Sequence, residues 1–221
     1  VARLKGGKKK LKNNLLAERL VVMNDIALAL KHLHFHDVLY RDLKPENLGF
    51  DLKGRIKLFD FGLAVELRSE DMLNNGTYNI PQGGTRRYMS PEIANKRPCN
   101  CSADIYSFGI LFWNVLALET PFKGFTAEKH SEHVLRQGFR PKISSSWPLE
   151  IKSLLPKCWS ENIWMRPKCE VICEVLDELT SNLSEFKRNS LDLSFSSNYS
   201  LWNAEDNDDY QGISTVSRFP Q

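Results

Sequence analysis

The chain has 221 residues, a hydrophobic fraction of 42% and a formal net charge of +3. This length supplies one well-buried core, or one domain with a tail, and the composition is typical of a folded, soluble chain. The small net charge gives no support to nucleic-acid binding. Because no apolar run could cross a bilayer and no cleavable signal opens the chain, we expect a soluble, cytoplasmic protein without a membrane span.

The five cysteines are an odd number, which fits poorly with a disulfide framework and predicts a reducing compartment. Neither closely spaced pair has the companion ligands of a zinc site, so buried thiols are favoured over metal ligands. Three histidines near residue 34 alternate along the chain, and on a helix they would point to different faces, which favours structural roles. These residues are Cys99, Cys101, Cys169, Cys173, His32, His34 and His36.

The first predicted element is a long amphipathic helix. Residues 1–13 are basic and contain two glycines, so they are interpreted as a hinge-like segment before the helix, with Asn14 as its N-cap. The helix is expected to end at His34 or His36. Its apolar residues recur at helical spacing: Leu16, Leu20, Met23, Ala27, Leu30 and Leu33.

A short strand at 38–40 leads to a polar stretch and then to a predicted hairpin. Two apolar runs, 48–50 and 56–58, flank a turn that contains Gly54. Antiparallel strands return the chain to its starting edge, so Asn47 before the first strand and Asp60 after the second should lie side by side. Their oxygens suit magnesium, which prefers oxygen ligands and keeps sites open for phosphate.

Two charged side chains precede this hairpin and complete a predicted phosphoryl-transfer site. Asp42 lies just before Asn47, so it is close enough to take a proton from a hydroxyl that attacks a metal-held phosphoryl group. Lys44 adds positive charge where negative charge must be neutralised. Together these residues predict chemistry that depends on positioning and electrostatics.

The stretch from Arg41 to Gly62 resembles the catalytic loop and the magnesium-binding motif of eukaryotic protein kinases. It carries R-D-x-x-x-x-N followed by D-F-G, in the order and approximate spacing of that family. Tyr40 stands where the family has His. That His mainly supports the backbone around D-F-G, so we expect an aromatic residue to be tolerated there. The resemblance implies ATP and Mg²⁺ as cofactors. It implies Asp42 as the base, Lys44 on the transferred phosphate, Asn47 and Asp60 on magnesium, and supporting roles for Arg41, Phe61 and Gly62.

By the same resemblance, the polar segment after Gly62 is the activation loop, and Ser90-Pro91-Glu92 is a variant of its closing motif. An upstream kinase could phosphorylate a hydroxyl there, with Arg41 pairing with the phosphate. For Ser69 and Tyr78, solvated loop hydroxyls are an equally good interpretation. Thr85 resembles the family residue that contacts Asp42 and Lys44 and shapes the acceptor site. The candidate hydroxyls are Ser69, Thr77, Tyr78 and Thr85.

A strongly apolar helix is predicted at 104–117 and should form the core. Asp104, near its start, is favourably placed for the helix dipole and for backbone capping, and it resembles the family aspartate that braces the catalytic loop. Further helices are expected at 128–137, from Trp147-Pro148 to Cys158, and at 171–179. The resemblance also pairs Arg166 with Glu92.

The resemblance covers residues 14–180, which implies a mainly α protein-kinase-like C-terminal lobe with a small β-hairpin. The glycine loop and strand lysine of the β-rich N-terminal lobe are absent from this sequence. The Ser/Asn/Asp-rich residues 181–221 are expected to be disordered. The implied function is ATP-dependent phosphorylation of a Ser or Thr in a protein substrate, in the tyrosine-kinase-like branch of Ser/Thr kinases. The isolated chain could be inactive. The alternative is an inert, pseudokinase-like binding module.

Overall fold

The structure, a computed structural model, describes the backbone of residues 2–181 and the side chains of residues 15–181. The helices are α1 (Ala2–Phe35), α2 (Pro91–Ala94), α3 (Ser102–Ala117), α4 (Ala127–His130), α5 (Leu149–Cys158) and α6 (Cys169–Ser181). The strands are β1 (Val38–Leu39), β2 (Leu48–Phe50), β3 (Ile56–Leu58) and β4 (Val65–Glu66). The prediction of a mainly helical fold with a small hairpin is confirmed. The disordered tail was predicted for 181–221; Ser181 is the last residue of α6, and 182–221 lie outside the described residues.

Helix α1 begins earlier than the sequence predicts. Its backbone is helical from Ala2, so the assignment of Asn14 as an N-cap is wrong. An asparagine inside a helix costs only a fraction of a kcal/mol, and the flanking lysines are good helix formers. The N-cap preference of Asn is therefore too weak to end a helix by itself. The division of the chain at residue 13 stays a prediction.

Helix α3 lies at the centre of the core. Most of its side chains are buried, and α1, α5 and α6 contribute the apolar faces that complete the same cluster. The predicted stripe of α1 is confirmed, with Leu20, Met23, Ala27 and Leu30 fully buried and its two outer members half-buried. At about 25 cal/mol per Å² of apolar surface, this burial stabilises the scaffold that carries the loops.

The predicted hairpin forms with the expected strands. Strands β2 and β3 are antiparallel with Leu48 opposite Leu58, and the Phe59 amide donates to the Asn47 carbonyl at 2.9 Å. Asp51 closes the turn, because its carboxylate accepts hydrogen bonds from the Lys53 and Arg55 amides, each at 2.9 Å. This register places Asn47 and Asp60 at the same end of the hairpin.

A second two-stranded sheet holds the chain on both sides of the hairpin. Strand β1 pairs antiparallel with β4, so the chain that leaves Gly62 returns beside the strand that enters the polar loop. The sequence did not predict β4, since a strand of two residues has no measurable periodicity.

The later helices follow the predicted pattern with shifted ends. Helix α4 has only four residues and continues as a π-helical turn over Ser131–Arg136. Helix α6 begins two residues before the predicted start, and Val171 is exposed rather than buried. All five cysteines are unpaired, as predicted, and four of them are buried. Among the described residues, no helix is long and apolar enough to span a membrane, and no group of three or more His, Cys, Asp or Glu residues could hold a metal ion.

Candidate active site

The loop between β1 and β2 is held from below by the first turn of α3. The buried Asp104 carboxylate accepts hydrogen bonds from the amides of Tyr40 and Arg41, each at 2.8 Å. Arg41 has a φ of 73°, a left-handed conformation that costs a non-glycine residue about 1–2 kcal/mol. The two hydrogen bonds stabilise that turn, which directs the next residue, Asp42, upward.

Asp42 lies at the centre of the loop, and both its carboxylate oxygens are hydrogen-bonded. Oδ1 accepts from the Thr85 amide at 2.8 Å and from the Thr85 hydroxyl at 2.7 Å. Oδ2 accepts from Lys44 Nζ at 2.6 Å and from Asn47 Nδ2 at 3.1 Å. The Thr85 hydroxyl also lies 3.0 Å from Lys44 Nζ. Four residues predicted to share a site therefore lie within hydrogen-bonding distance of one another.

These contacts keep Asp42 ionised. Burial opposes ionisation, but the hydrogen bonds from Lys44 and Thr85 and the Lys44 charge outweigh it and hold the pKa of Asp42 below its ordinary value. A carboxylate has about four acceptor positions, and all four are filled by the protein itself. An incoming hydroxyl must therefore displace one of these partners. Lys44, whose side chain is one-fifth exposed, is the partner freest to move.

Asn47 and Asp60 provide oxygens that fit a magnesium ion carrying a nucleotide. The Asn47 amide nitrogen is engaged by the carbonyl and carboxylate of Asp42, which leaves its oxygen as the atom able to bind a cation. Asp60 is exposed, and among the described residues only its Oδ1 accepts a hydrogen bond, a weak one from the Gly62 amide at 3.2 Å. One carboxylate and one amide oxygen are the donors that magnesium accepts beside phosphate oxygens and water.

Tyr40 supports the chain just before Asp60. Its buried hydroxyl donates to the Phe59 carbonyl, and its ring packs edge-on against Phe61 with centroids 5.3 Å apart. Burial and nearby carboxylates raise the pKa of Tyr40 to about 12, so the hydroxyl keeps its proton and can donate. Tyr40 therefore contacts both the backbone and the side chain next to Asp60.

Two glycines let the segment that carries Thr85 approach the catalytic loop. A Cβ at Gly84, where φ is 107°, would lie 2.6 Å from the Arg41 carbonyl oxygen. A Cβ at Gly83 would lie equally close to the Arg41 guanidinium. Glycine is therefore required at 84 if Thr85 is to reach Asp42, whereas at 83 a shift of the Arg41 guanidinium would make room. The sequence analysis did not assign this role, although the paired glycines directly before Thr85 are a visible signal.

The hydroxyl residues of the predicted activation loop differ in their exposure to solvent. Ser69 is exposed, whereas Thr77 is buried and its hydroxyl donates to Asn75 Oδ1 at 2.6 Å. The Arg41 guanidinium donates to the carbonyls of Leu63 and Pro81. In this conformation Arg41 therefore holds two loop carbonyls, and its pairing with a phosphate stays a prediction.

The predicted pair of Glu92 and Arg166 is confirmed. The guanidinium binds both carboxylate oxygens, with N–O distances of 2.5 and 2.9 Å, and both side chains are buried. Burial opposes the charge on Glu92, but Arg166 outweighs it and lowers the pKa of the carboxyl. Arg166 also donates to the Ser102 carbonyl at 3.0 Å, so it joins the closing motif to the start of α3.

Comparison with known sequences identifies the class of protein that this fold and site define. Residues 7–176 match the family described as "Protein kinase domain". The chain belongs to the protein kinase family.

The relatives are serine/threonine and related kinases. The chain is 31% identical over 169 residues to serine/threonine-protein kinase STY17 of Arabidopsis thaliana, an alignment that covers 76% of this chain and 29% of that protein. It is 33% identical over 171 residues to a probable LIM domain-containing serine/threonine-protein kinase of Dictyostelium discoideum, covering 77% and 17%. It is 32% identical over 162 residues to serine/threonine/tyrosine-protein kinase HT1 of Arabidopsis thaliana, covering 73% and 40%. The chain thus spans less than half the length of these relatives.

Proposed function

We propose that this chain is the C-terminal lobe of a protein kinase that transfers the γ-phosphoryl group of ATP to a Ser or Thr hydroxyl in a protein substrate. The observation that carries this proposal is the Asp42 carboxylate, bonded at once to Lys44, Asn47 and Thr85. Few other reactions use an ionised carboxylate beside a mobile ammonium group and a second, exposed carboxylate at the same hairpin end.

Each residue has a distinct part in the proposed reaction. Asp42 accepts the hydrogen bond of the acceptor hydroxyl, orients it and takes its proton. Lys44 leaves Oδ2 of Asp42 and neutralises charge on the transferred phosphoryl group. Asn47 and Asp60 hold Mg²⁺. When bound, Mg²⁺-ATP supplies the phosphoryl group and the charge that offsets its negative oxygens.

Thr85 sets the position of the base rather than reacting. Its amide and hydroxyl fix Oδ1 of Asp42, so the carboxylate keeps one orientation while Lys44 moves. Any shift of the segment that carries Thr85 would release Asp42. The proposed regulation by an upstream kinase acts through this segment, with the exposed Ser69 a better target than the buried Thr77.

Exposed apolar side chains around the hairpin support the assignment as one lobe of a larger domain. Leu52 is 83% exposed, Phe59 51% and Phe61 49%. Phe59 and Phe61 flank Asp60, whereas Leu52 lies in the turn at the other end of the hairpin. Large apolar side chains exposed beside a polar site are typical of a surface that other protein covers. A β-rich lobe packed there would close the nucleotide site from above. For this reason we propose that the catalytic domain of the native protein includes such a lobe.

We also propose that the protein acts in the cytoplasm. The support is the set of five unpaired thiols, four of them buried. Burial raises the pKa of Cys99 and of Cys158 to about 12, which keeps these thiols protonated and unreactive.

Nucleotide binding tests the proposed magnesium site. The chain is titrated with ATP in the presence of Mg²⁺ while its thermal melting is followed. At ten times the dissociation constant we expect about 1.4 kcal/mol of stabilisation, which Asp60→Asn should remove. Asp71→Asn, at an exposed aspartate of the activation segment, is the matched control and should keep the effect. If nucleotide leaves the melting temperature of all three proteins unchanged, the proposal is contradicted and an inert binding module is favoured.

A further inference from the structure

A small basic pocket lies beside the acceptor site, between the segment after Thr85 and α4. It has a volume of about 150 Å³. Two arginines, two aromatic rings and one histidine line it: Arg86, Arg87, Phe122, Phe125 and His130. None of these residues takes part in the proposed phosphoryl transfer.

His130 is the first unusual feature of the pocket. Its side chain is 4% exposed, yet neither ring nitrogen has a hydrogen-bond partner in the described part of the chain. A buried polar group without a partner is destabilising, and water, an ion or a ligand usually completes its hydrogen bonds. The ring is held in place edge-on against Phe122, with centroids 5.1 Å apart.

Arg86 is the second unusual feature. It is exposed and makes no hydrogen bond or ion pair with any residue that the structure describes. Its neighbour Arg87 is half-buried and donates to the Pro121 carbonyl at 2.5 Å, which fixes its guanidinium at the pocket wall. Two adjacent guanidinium groups therefore converge on one pocket, and only one of them has a protein partner.

The charge of the pocket is unbalanced. Burial and the charges of Arg86, Arg87 and Arg140 lower the pKa of His130 to about 4, so its ring is neutral at pH 7. Two acids, Glu128 and Glu132, line an adjoining cavity together with Arg86. The pKa of Glu128 is lowered by its own helix-start amide, by Thr126 and by the Arg86 charge. Neither acid forms an ion pair with Arg86 among the described residues, so the Arg86 guanidinium is available to a ligand.

The place of the pocket limits what can reach it. Arg86 directly follows Thr85, whose hydroxyl touches the proposed base. Arg86 also lines a neighbouring cavity of about 520 Å³ with Gly83, Gly84 and Met89. A peptide whose hydroxyl points at Asp42 must pass over this segment. The pocket and the proposed base are therefore joined by adjacent residues, Thr85 and Arg86.

We propose that the pocket of Arg86, Arg87 and His130 binds an anionic side chain of the protein substrate, a glutamate, aspartate or phosphorylated residue, close in sequence to the acceptor. The guanidinium of Arg86 supplies the charge-assisted hydrogen bonds. This inference rests on the proposed function only for the place of the acceptor, and the pocket is a binding site in its own right.

Peptide binding tests the site without requiring phosphoryl transfer. Serine peptides with Glu, phosphoserine, Gln or Lys at the neighbouring positions are labelled, and their affinity for the 221-residue chain is measured by fluorescence polarisation. We expect about tenfold tighter binding of the anionic peptides than of the Gln peptide, and the weakest binding for Lys. The ratio of the affinities for the Glu peptide and the phosphoserine peptide shows which anion the site prefers.

Two variants locate the effect. Arg86→Gln should remove the tenfold preference, and Arg86→Glu should reverse it in favour of the Lys peptide. Arg97→Gln removes an equally exposed arginine that does not line the pocket, and should leave the preference intact. Because Arg86 and Arg97 are exposed, all three variants should melt like the parent chain. At pH 7 the Glu peptide should also shift the His130 ring nitrogen resonances, and the Gln peptide should not.

Equal affinity for the anionic and neutral peptides, including no binding of any peptide, would overturn the proposal. A preference that survives Arg86→Gln would overturn it as well. The two proposals fail separately. If the full-length protein phosphorylates anionic and neutral peptides equally well, the proposed function stands and this site is ruled out. If it prefers to bind anionic peptides but transfers no phosphate, the site stands and the proposed function is ruled out.

Discussion

Two ion pairs of this protein use the same chemistry for opposite purposes. Glu92 and Arg166 are both buried, and the guanidinium binds both carboxylate oxygens while two backbone carbonyls take its other donors. Asp42 and Lys44 make a single contact of 2.6 Å, and the lysine is partly exposed. The first pair cannot change partners without unfolding its surroundings, whereas the second can open to admit substrate. The two pairs therefore differ in the burial of the cation, which is complete in the structural pair, Glu92 and Arg166, and partial in the reactive pair, Asp42 and Lys44.

The largest effect on stability should follow from breaking the buried pair. Arg166→Leu leaves the Glu92 carboxylate buried and uncompensated, and should lower the free energy of unfolding by about 3–5 kcal/mol. Urea denaturation measures the change. The double variant Arg166→Leu/Glu92→Leu should recover part of the loss, because no charge remains buried. A loss below about 1 kcal/mol for the single variant would show that this pair contributes no more to stability than a solvent-exposed ion pair does.

Gly84 tests how closely the Thr85 segment must approach the loop. Gly84→Ala adds a Cβ at a φ of 107° and 2.6 Å from the Arg41 carbonyl, and should cost about 2–3 kcal/mol. Gly124→Ala is the matched control, since its φ is 78° but nothing lies within 4 Å of the new Cβ. It should cost only about 1 kcal/mol of backbone strain. If chemical denaturation shows the same loss of stability for both variants, the close approach to Arg41 does not contribute to the cost of Gly84→Ala.

The unpartnered His130 makes stability depend on pH. Its pKa is about 4 when folded and about 6.5 when unfolded, so the unfolded chain binds more protons between these values. Stability should therefore fall as the pH drops through this range, by up to about 1.4 kcal/mol per pH unit from this group. His130→Leu should remove that share of the slope. Identical slopes for both proteins in urea denaturation from pH 7 to pH 4.5 would contradict the buried, neutral ring.

The smallest effect is expected at Tyr40. Tyr40→Phe keeps the ring contact with Phe61 and removes the hydrogen bond to the Phe59 carbonyl together with the hydroxyl's interaction with the Asn47 side chain. The cost should be about 1–2 kcal/mol of stability. A weaker affinity for Mg²⁺-ATP should accompany it, because Asp60 follows Phe59. Unchanged stability and nucleotide affinity would show that the hydroxyl does not support this segment.

The sequence predicted the features that depend on local pattern or on a dense motif. The hairpin, the core stripe of α1 and the Glu92 to Arg166 pair came from periodicity and from family resemblance, and all are confirmed. The start of α1 was wrong, since a single capping preference cannot outweigh favourable helix propensity. Strand β4, Gly84 and the basic pocket were missed, because each depends on residues brought together by the fold. His130 in particular gives no signal in the sequence, where a lone histidine is usually structural.

Phosphoryl transfer is the most direct test of the reactive pair. The full-length protein is incubated with Mg²⁺-ATP and a serine peptide, and the initial rate is compared with that of Asp42→Asn. We predict a loss of about 10²–10⁴-fold in the variant, with thermal melting and Mg²⁺-ATP affinity retained. A variant that transfers phosphate at the parent rate would contradict the assignment of Asp42 as the base and, with it, the proposed mechanism.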